Sequence, residues 1–443
     1  MAKILTYQKS EFENLLPSDW SILLGTVRQV AASQNVPLYI VGGFVRDLLL
    51  GQPGSDFDLV VEGDAIGLAK SAAARYGGRV TSHGRFGTAK WLLADSSLNA
   101  RLSRPLPALD FVLARSESYA HPGALPTVQP GTLSDDLRRR DFSINTLAIR
   151  LDGQHYGELR DDLGGLEDLH NGLVRVLHPL SFVDDPTRML RAVRYEQRYD
   201  FRIPASDLEL IPPARHLLAK LSADRIRHEL NLILGENKAG DILARTAELN
   251  LLASIHPSLP WDADLQRAIE SGLVATPPKE WGRLPDLAPT PRRVALGYLL
   301  WLLRLSHEDI EALDFRLHFP AELREAVQAA ASVWRDLAEF VNMKPSQAFD
   351  RLAEIQPLAV FACYLESGRE GREILDRFMA SWRHVRPRTS GNDLIALGLP
   401  PGPLYQTILR SLRDAWLDGE VKTVEEEHSL LTRLIEKDGE NSH

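Results

Sequence analysis

One cysteine, Cys363, among 443 residues excludes an intramolecular disulfide and is too few for a thiolate zinc site. A reducing cytoplasm is the expected setting. Long apolar runs are missing as well: the longest, such as VALGYLLWLLRL near 294–305, fall short of the ~20 residues that a membrane-spanning helix requires. The opening MAKILTYQKSEFENLL lacks the charged, then apolar, then small-residue succession of a secretory signal. There is no periodic glycine, no internal repeat and no long low-complexity tract, which sets aside fibres and repeat arrays.

What is present is an ordinary globular composition, 44% hydrophobic and 25% charged, in a chain long enough for roughly two to four domains. Fifty-one Lys+Arg against 60 Asp+Glu leave a net charge of −9, which argues against coating nucleic acid non-specifically, because neutralising phosphates needs clustered cations. The average does not describe a face, however. Arginines gather in DDLRRRDF, ending at Phe142, and in RMLRAVRYEQRYDFR at 188–202. A basic groove is compatible with an acidic chain.

Residues 10–34 predict a helix, with Phe12, Leu15, Trp20, Leu23, Leu24, Val27 and Val30 at helical spacing. From 36 to 62 the pattern becomes strand, Gly–Gly turn, short helix, turn, strand: VPLYIVGG, FVRDLLLG, SDFDLVVEG. GTAKWLLA (87–94) and ALDFVLAR (108–115) predict further strands, and INTLAIRL (144–151) finishes the sheet. Residues 116–134, rich in Pro and Gly, predict a loop. From about 180 the pattern is almost wholly helical, interrupted at 275–293. Strands and helices mix in the first third and helices take the rest, which predicts a compact α/β head before an all-α body of several modules.

Asp56 and Asp58, two apart in SDFDLVV, project from one face of a strand. Two anions side by side make sense with a cation between them, and Mg²⁺ takes such carboxylates together with substrate phosphates and water; the alternative is a strand end with two solvated aspartates. Asp110 stands alone on the polar face of ALDFVLAR. If its strand neighbours the first, the carboxylates converge on metal ions able to activate a hydroxyl and stabilise a leaving oxygen; otherwise it is an edge aspartate. Gly42 and Gly43 precede a short helix carrying Arg46, a layout that suits a polyphosphate near the backbone and a guanidinium clamp. In LRRRDFSINTLAI (137–149), Arg139 and Arg140 are candidates to hold a triphosphate and Asp141 to accept a ribose hydroxyl. A solvated loop with a local ion pair is the competing reading. In FVDDPTRMLRAVRYEQRY (182–199), Asp184 or Asp185 caps a helix and Pro186 suits its first position. Asp185 and Arg188, three apart, offer an acceptor and a forked donor like a nucleobase edge, or simply a cap and its ion-pair partner.

In order, these segments resemble the class II tRNA nucleotidyltransferases, the CCA-adding enzymes and their bacterial poly(A) polymerase relatives of the DNA polymerase β-like superfamily. GGFVRDLLLG…DFDLV is similar to the family's first motif, RRRDFSINTLAI to the motif that tells ribose from deoxyribose, and DDLGGLEDL (161–169) to the hinge. DDPTRMLRAVRY resembles the amino-acid template for the incoming base, SADRIRHELNLIL (222–234) the element bracing it, and residues 390–420 the tail. Asp184, Thr146 and Asp224 stand where the family usually has Glu, Ala and Glu. The segment SESYAHPGALPTV occupies the region that helps such enzymes switch from C to A addition.

The resemblance implies an α+β fold: a DNA polymerase β-like nucleotidyltransferase head followed by an all-α neck, body and tail. The boundaries expected are 1–35 for an N-terminal helix, 36–152 for the head, 153–235 for the neck, 236–340 for the body and 341–443 for the tail. Catalysis would fall to Asp56, Asp58 and Asp110, with Mg²⁺ on Asp56 and Asp58. Nucleotide contacts would come from Gly42, Gly43, Arg46, Arg139, Arg140, Asp141, Asn145, Asp185, Arg188, Arg191 and Arg194. The substrates implied are CTP, ATP and the tRNA acceptor end, with CMP and/or AMP added and pyrophosphate released. No membrane and no obligate protein partner is expected. Addition of CC alone or of A alone, and a poly(A) polymerase, are the alternatives within the family; a small-molecule nucleotidyltransferase and a non-catalytic RNA-binding module lie outside it. With no His–Asp metal motif in the helical half, no fused phosphohydrolase is expected.

Overall fold

The computed structural model describes residues 3–6, 16, 18–52, 58–103, 105–118 and 127–441. The chain divides into two compact units, Met1–Ser222 with Glu248–Ile255, and Ala223–Ala247 with His256–His443.

The first unit is built on strands β1 (Lys3–Thr6), β2 (Leu38–Val41), β3 (Asp58–Val61), β4 (Gly77–His83), β5 (Thr88–Ser96), β6 (Ala108–Leu113), β9 (Ala148–Arg150) and β10 (Glu158–Asp161), with β7 (Arg115–Ser118) and β8 (Thr127–Pro130) forming a separate hairpin. The eight-stranded sheet runs β1-β10-β9-β2-β3-β6-β5-β4. Its pairings are antiparallel except β3 with β6, which is parallel. One face buries Leu59, Val61, Trp91, Leu93 and Phe111. Helix α3 (Ala65–Tyr76) covers that face and α1 (Ser18–Gln34) packs beside α3. Asp64 starts α3 by accepting a hydrogen bond from the Gly67 amide at 2.8 Å. On the opposite face, Tyr39, Val41, Val60 and Ala148 pack against Leu133 and Leu137 of α4 (Leu133–Arg138). On that face Asp58, at the start of β3, is exposed and Asp110 of β6 is half-exposed. Helices α2 (Gly43–Leu49), α5 (Gly165–His170), α6 (Ser181–Asp184) and α7 (Thr187–Tyr199) complete the parts used below.

The second unit is helical. Its core packs α8 (Ala223–Gly235), α9 (Arg292–Leu302), α10 (His307–Leu317), α11 (Ala321–Phe340) and α12 (Pro357–Glu366) around the buried Tyr298 and Trp301. Tyr298 hydroxyl donates to Asn231 Oδ1 at 2.9 Å, satisfying the one polar atom its burial would otherwise strand. Toward the C-terminus, α13 (Pro403–Leu417) and α14 (Val424–Asn441) close on Glu427, whose buried carboxylate accepts from the Arg388 and Thr389 amides and the Trp416 indole. Among the described residues no helix is long and apolar enough to cross a membrane.

Four sequence expectations are modified. The N-terminal segment, expected to be a helix only, contributes β1, which pairs with β10; four residues are too few to show a period. Its helix begins at Ser18, residues 10–15 and 17 lying outside the described residues. Residues 116–134 are not all loop. Arg115–Ser118 and Thr127–Pro130 pair as β7 and β8, with Pro130 tolerated at the end of its strand. The helix expected with Asp184 or Asp185 as its cap and Pro186 at its first position is α7, which begins at Thr187, and a separate short helix, α6, precedes it, because the residue before proline is driven out of the helical region. Finally, residues 153–222 share a unit with the sheet and do not stand apart as a neck.

Candidate active site

The parallel register of β3 and β6 sets Asp58 directly beside Asp110. Asp56 lies outside the described residues. On β5, Lys90 is paired with Asp110, its Nζ 3.3 Å from Asp110 Oδ2. Asp58 sits at the open lip of an otherwise buried strand. Even so, surrounding protein raises its carboxyl above the usual range; Asp110 and Asp136 add to the rise, and Arg140 and Arg139 oppose it. Like charges crowded together favour a cation between them. Among the described residues no cluster of three metal-ligating side chains forms. Two carboxylates, completed by phosphates and water, still match the hard oxygen donors of a divalent cation.

Beyond β2 the chain turns at Gly42, whose φ of 74° suits glycine, and Gly43 opens α2. A Cβ at Gly42 would collide with Nη1 of Arg140, so the guanidinium lies directly over the turn. Asp136 holds it there. This carboxylate is 0% exposed; Oδ2 accepts from Arg140 Nη2 at 2.9 Å and Oδ1 from Arg139 Nε at 3.0 Å. Arg139 reaches further, Nη1 donating at 3.0 Å to Glu117, which also takes Arg115 Nη2 at 2.9 Å. Two arginines are thereby fixed beside the carboxylates.

Asp141, next in the chain, is engaged inside the protein. Oδ2 accepts from Arg191 Nη2 at 2.6 Å and Nε at 3.0 Å, and Oδ1 from Asn145 Nδ2 and the Phe142 amide, each at 2.8 Å. Burial pushes its carboxyl up, but Arg191, Asn145 and Arg188 outweigh it and hold the group at about 2. A ribose hydroxyl reaching Asp141 would therefore compete with partners already in place. Asn145 Oδ1 in turn accepts from Arg46 Nη1 at 2.5 Å. Arg46, read from sequence as an open phosphate clamp, is 4% exposed. Its Nε donates to Asp47 at 2.8 Å, and its guanidinium lies 4.9 and 4.6 Å from the Tyr195 and Tyr199 rings. Tyr199 closes the loop by donating to Asp47 at 2.9 Å. Arg46 is thus a brace between the Gly–Gly helix α2 and α7, and the clamp reading is corrected.

At the start of α7, Asp185 is extended and accepts from the Thr187 amide at 3.0 Å and hydroxyl at 2.7 Å. Arg188 is buried, Nη1 donating to Ser181 Oγ at 2.7 Å and Nη2 to the Arg139 carbonyl at 2.9 Å. Arg194 is turned against Tyr195, 4.8 Å from the ring. A cavity of about 250 Å³ brings Arg188, Asp184 and His178 together with Arg138, Arg139, Asp135, Ser116 and Glu117. Sequence reasoning missed Lys90, Asp136 and Glu117. Asp136 had a signal in its i+3 and i+4 spacing to Arg139 and Arg140, whereas Lys90 and Glu117 depend on strand pairing.

Paired acidic strands next to a Gly–Gly turn roofed by arginine, on a mixed sheet followed by helices, define a DNA polymerase β-like nucleotidyltransferase. Residues 38–175 match the poly(A) polymerase head domain, and 200–262 the probable RNA and SrmB-binding site of polymerase A. The chain is 34% identical over 406 residues to the A-adding tRNA nucleotidyltransferase of Halalkalibacterium halodurans, covering 89% of this chain and 88% of that one. It is 36% identical over 270 residues to the CC-adding tRNA nucleotidyltransferase of Deinococcus radiodurans, 60% of this chain and 69% of the other. A solved CCA-adding enzyme in complex with ATP superposes with a TM-score of 0.78 at 26% identity, covering 97% of this chain and 99% of that one. The chain belongs to the tRNA nucleotidyltransferase family and is an enzyme of that kind.

Proposed function

We propose that this enzyme adds CMP and/or AMP, taken from CTP and ATP, to the 3′ end of tRNA in the cytoplasm, without a nucleic-acid template, releasing pyrophosphate. The pairing of Asp58 with Asp110 beside the Arg140-covered turn carries this reading. Asp58 and Asp110, with Asp56, would hold a divalent cation, Mg²⁺ by the hardness of the donors, which when bound supplies charge stabilisation at the reacting phosphate. Arg140 and Arg139, aimed by Asp136, bind and orient the triphosphate. In this reading Arg188 and Asp185 face the incoming base. Cytosine and adenine each present an exocyclic amino donor, whereas guanine and uracil present a carbonyl acceptor at that position. An acceptor from Asp185 and a donor from Arg188 therefore favour C and A, provided Arg188 exchanges Ser181 and the Arg139 carbonyl for the base.

The relative matched over most of both chains is named for A addition, and the one matched over 60% of this chain for CC addition. AMP addition is the step to read first. The test is to incubate the protein with tRNA lacking CCA, CA or A and each of the four labelled nucleotides. Incorporation of C or A, with G and U refused, is expected. A long A tract from ATP on any RNA end, with CTP unused, would overturn the tRNA reading.

A further inference from the structure

We propose that Lys90 binds the last phosphodiester of the RNA being extended, on the side of the carboxylate pair away from the triphosphate. The inference rests on the nucleotidyl-transfer reading and assigns the place of its second substrate.

One register level crosses five strands. Val41 of β2 pairs with Asp58 of β3, Asp58 with Asp110 of β6, Asp110 with Lys90 of β5, and Lys90 with Thr81 of β4. Directly paired residues share a face, so Asp58, Asp110, Lys90 and Thr81 form one row on the face opposite Trp91 and Phe111, each of the four at least partly exposed. The other side of β5 is sealed, with Ala89 and Trp91 buried.

The two ends of the row differ chemically. Past Val41 lies Gly42 with Arg140 over it, the end that receives the triphosphate. In an in-line displacement the attacking oxygen and the leaving pyrophosphate stand on opposite sides of the phosphorus. With pyrophosphate held at the Gly42 end, the ribose hydroxyl must approach from the Asp110 end. The phosphodiester of that ribose lies one sugar further out. Lys90 stands one strand beyond Asp110, a step of about 4.8 Å, which matches this displacement.

The state of Lys90 suits the role. Its side chain is 51% exposed, and its ammonium lies 3.3 Å from Asp110 Oδ2. An ion pair this open contributes little to stability, so the fold alone gives weak reason for a lysine here. The ammonium has three donors and can keep Asp110 while taking a phosphate oxygen. Lys90 would then position the attacking end of the RNA relative to the carboxylates.

A chemical double-mutant cycle tests this. AMP addition is measured on a tRNA lacking its terminal A, with the last phosphodiester either natural or replaced by an uncharged methylphosphonate, for the wild type, Lys90→Gln and Lys90→Arg. Lys90→Gln should lower kcat/KM for the natural tRNA about tenfold, the usual size of one lost charge-assisted hydrogen bond, with KM for ATP unchanged. The neutral linkage should cost the wild type a similar factor and cost Lys90→Gln less than about twofold more. Lys90→Arg should recover most of the loss. Multiplying losses, a loss falling on KM for ATP, or no loss at all would overturn the proposal, and multiplying losses would mean that Lys90 serves Asp110 alone. If the wild type adds neither AMP to tRNA lacking its terminal A nor CMP to tRNA lacking CCA, the nucleotidyl-transfer reading itself falls, and this inference with it.

Discussion

Replacing Arg191 with methionine keeps most of the side-chain volume and removes the cation that holds Asp141. Both partners are largely enclosed, at 10% exposure for Asp141 and 29% for Arg191, and they meet at 2.6 Å. The Asp141 carboxyl is held at about 2. An unfolded aspartate titrates at about 3.9, and each unit is worth about 1.4 kcal/mol, so the partners together stabilise the folded state by roughly 2–3 kcal/mol at neutral pH. Asn145 and Arg188 supply part of this, and Arg191, the strongest of the groups that lower it, carries a share on the order of 1–2 kcal/mol. A carboxyl depressed in the folded state contributes fully above its unfolded value and loses that contribution as pH falls through its folded value. The gap between wild type and Arg191→Met should therefore be complete from pH 7 to 5 and close between about pH 4 and 2. Urea unfolding followed by far-ultraviolet circular dichroism, with the unit carrying α7 fitted as its own transition, measures it. A gap below about 0.5 kcal/mol at pH 7, or one that persists unchanged to pH 2, would refute the reasoning.

Gly42→Ala should raise KM for ATP several-fold while leaving tRNA affinity intact. It adds a methyl group against Arg140 at a φ of 74°, a strain of about 1–2 kcal/mol, and steady-state kinetics with each substrate varied separately would expose an unchanged KM. Asp136→Asn leaves one carbonyl oxygen to serve two guanidiniums. A fall of about tenfold in kcat/KM for ATP is expected, and equal loss in tRNA binding would mean that the residue only maintains the fold.

Local pattern made much of the sheet readable. Alternation marked β6, and the Gly–Gly pair between two apolar runs marked the turn into α2. Pairing between distant strands has no local signature, and the site is assembled by that pairing. Asp58 meets Asp110 only through the β3–β6 register, and Lys90 joins them only through β5. Arg46 was misread because an arginine near a turn looks open until Tyr195 and Tyr199, some 150 positions on, enclose it. The helix start beyond Asp185 was legible from Pro186 itself, whereas the separate short helix α6 ahead of it was not. The order of motifs was enough to recognise the family, whereas the links from Arg139 to Glu117 and from Asp141 to Arg191 run between segments far apart in the chain.

The most direct test substitutes Asp58 with asparagine and follows two readings on one preparation: binding of tRNA lacking its terminal nucleotides, and transfer of labelled CMP or AMP to it. On the proposed reading Asp58, paired with Asp110, acts on the phosphate and does not grip the RNA, so binding should remain within a few-fold of wild type. Transfer should fall about a thousandfold or more, the scale of several kcal/mol of lost charge stabilisation. Transfer persisting near the wild-type rate, or binding lost in step with it, would contradict the account.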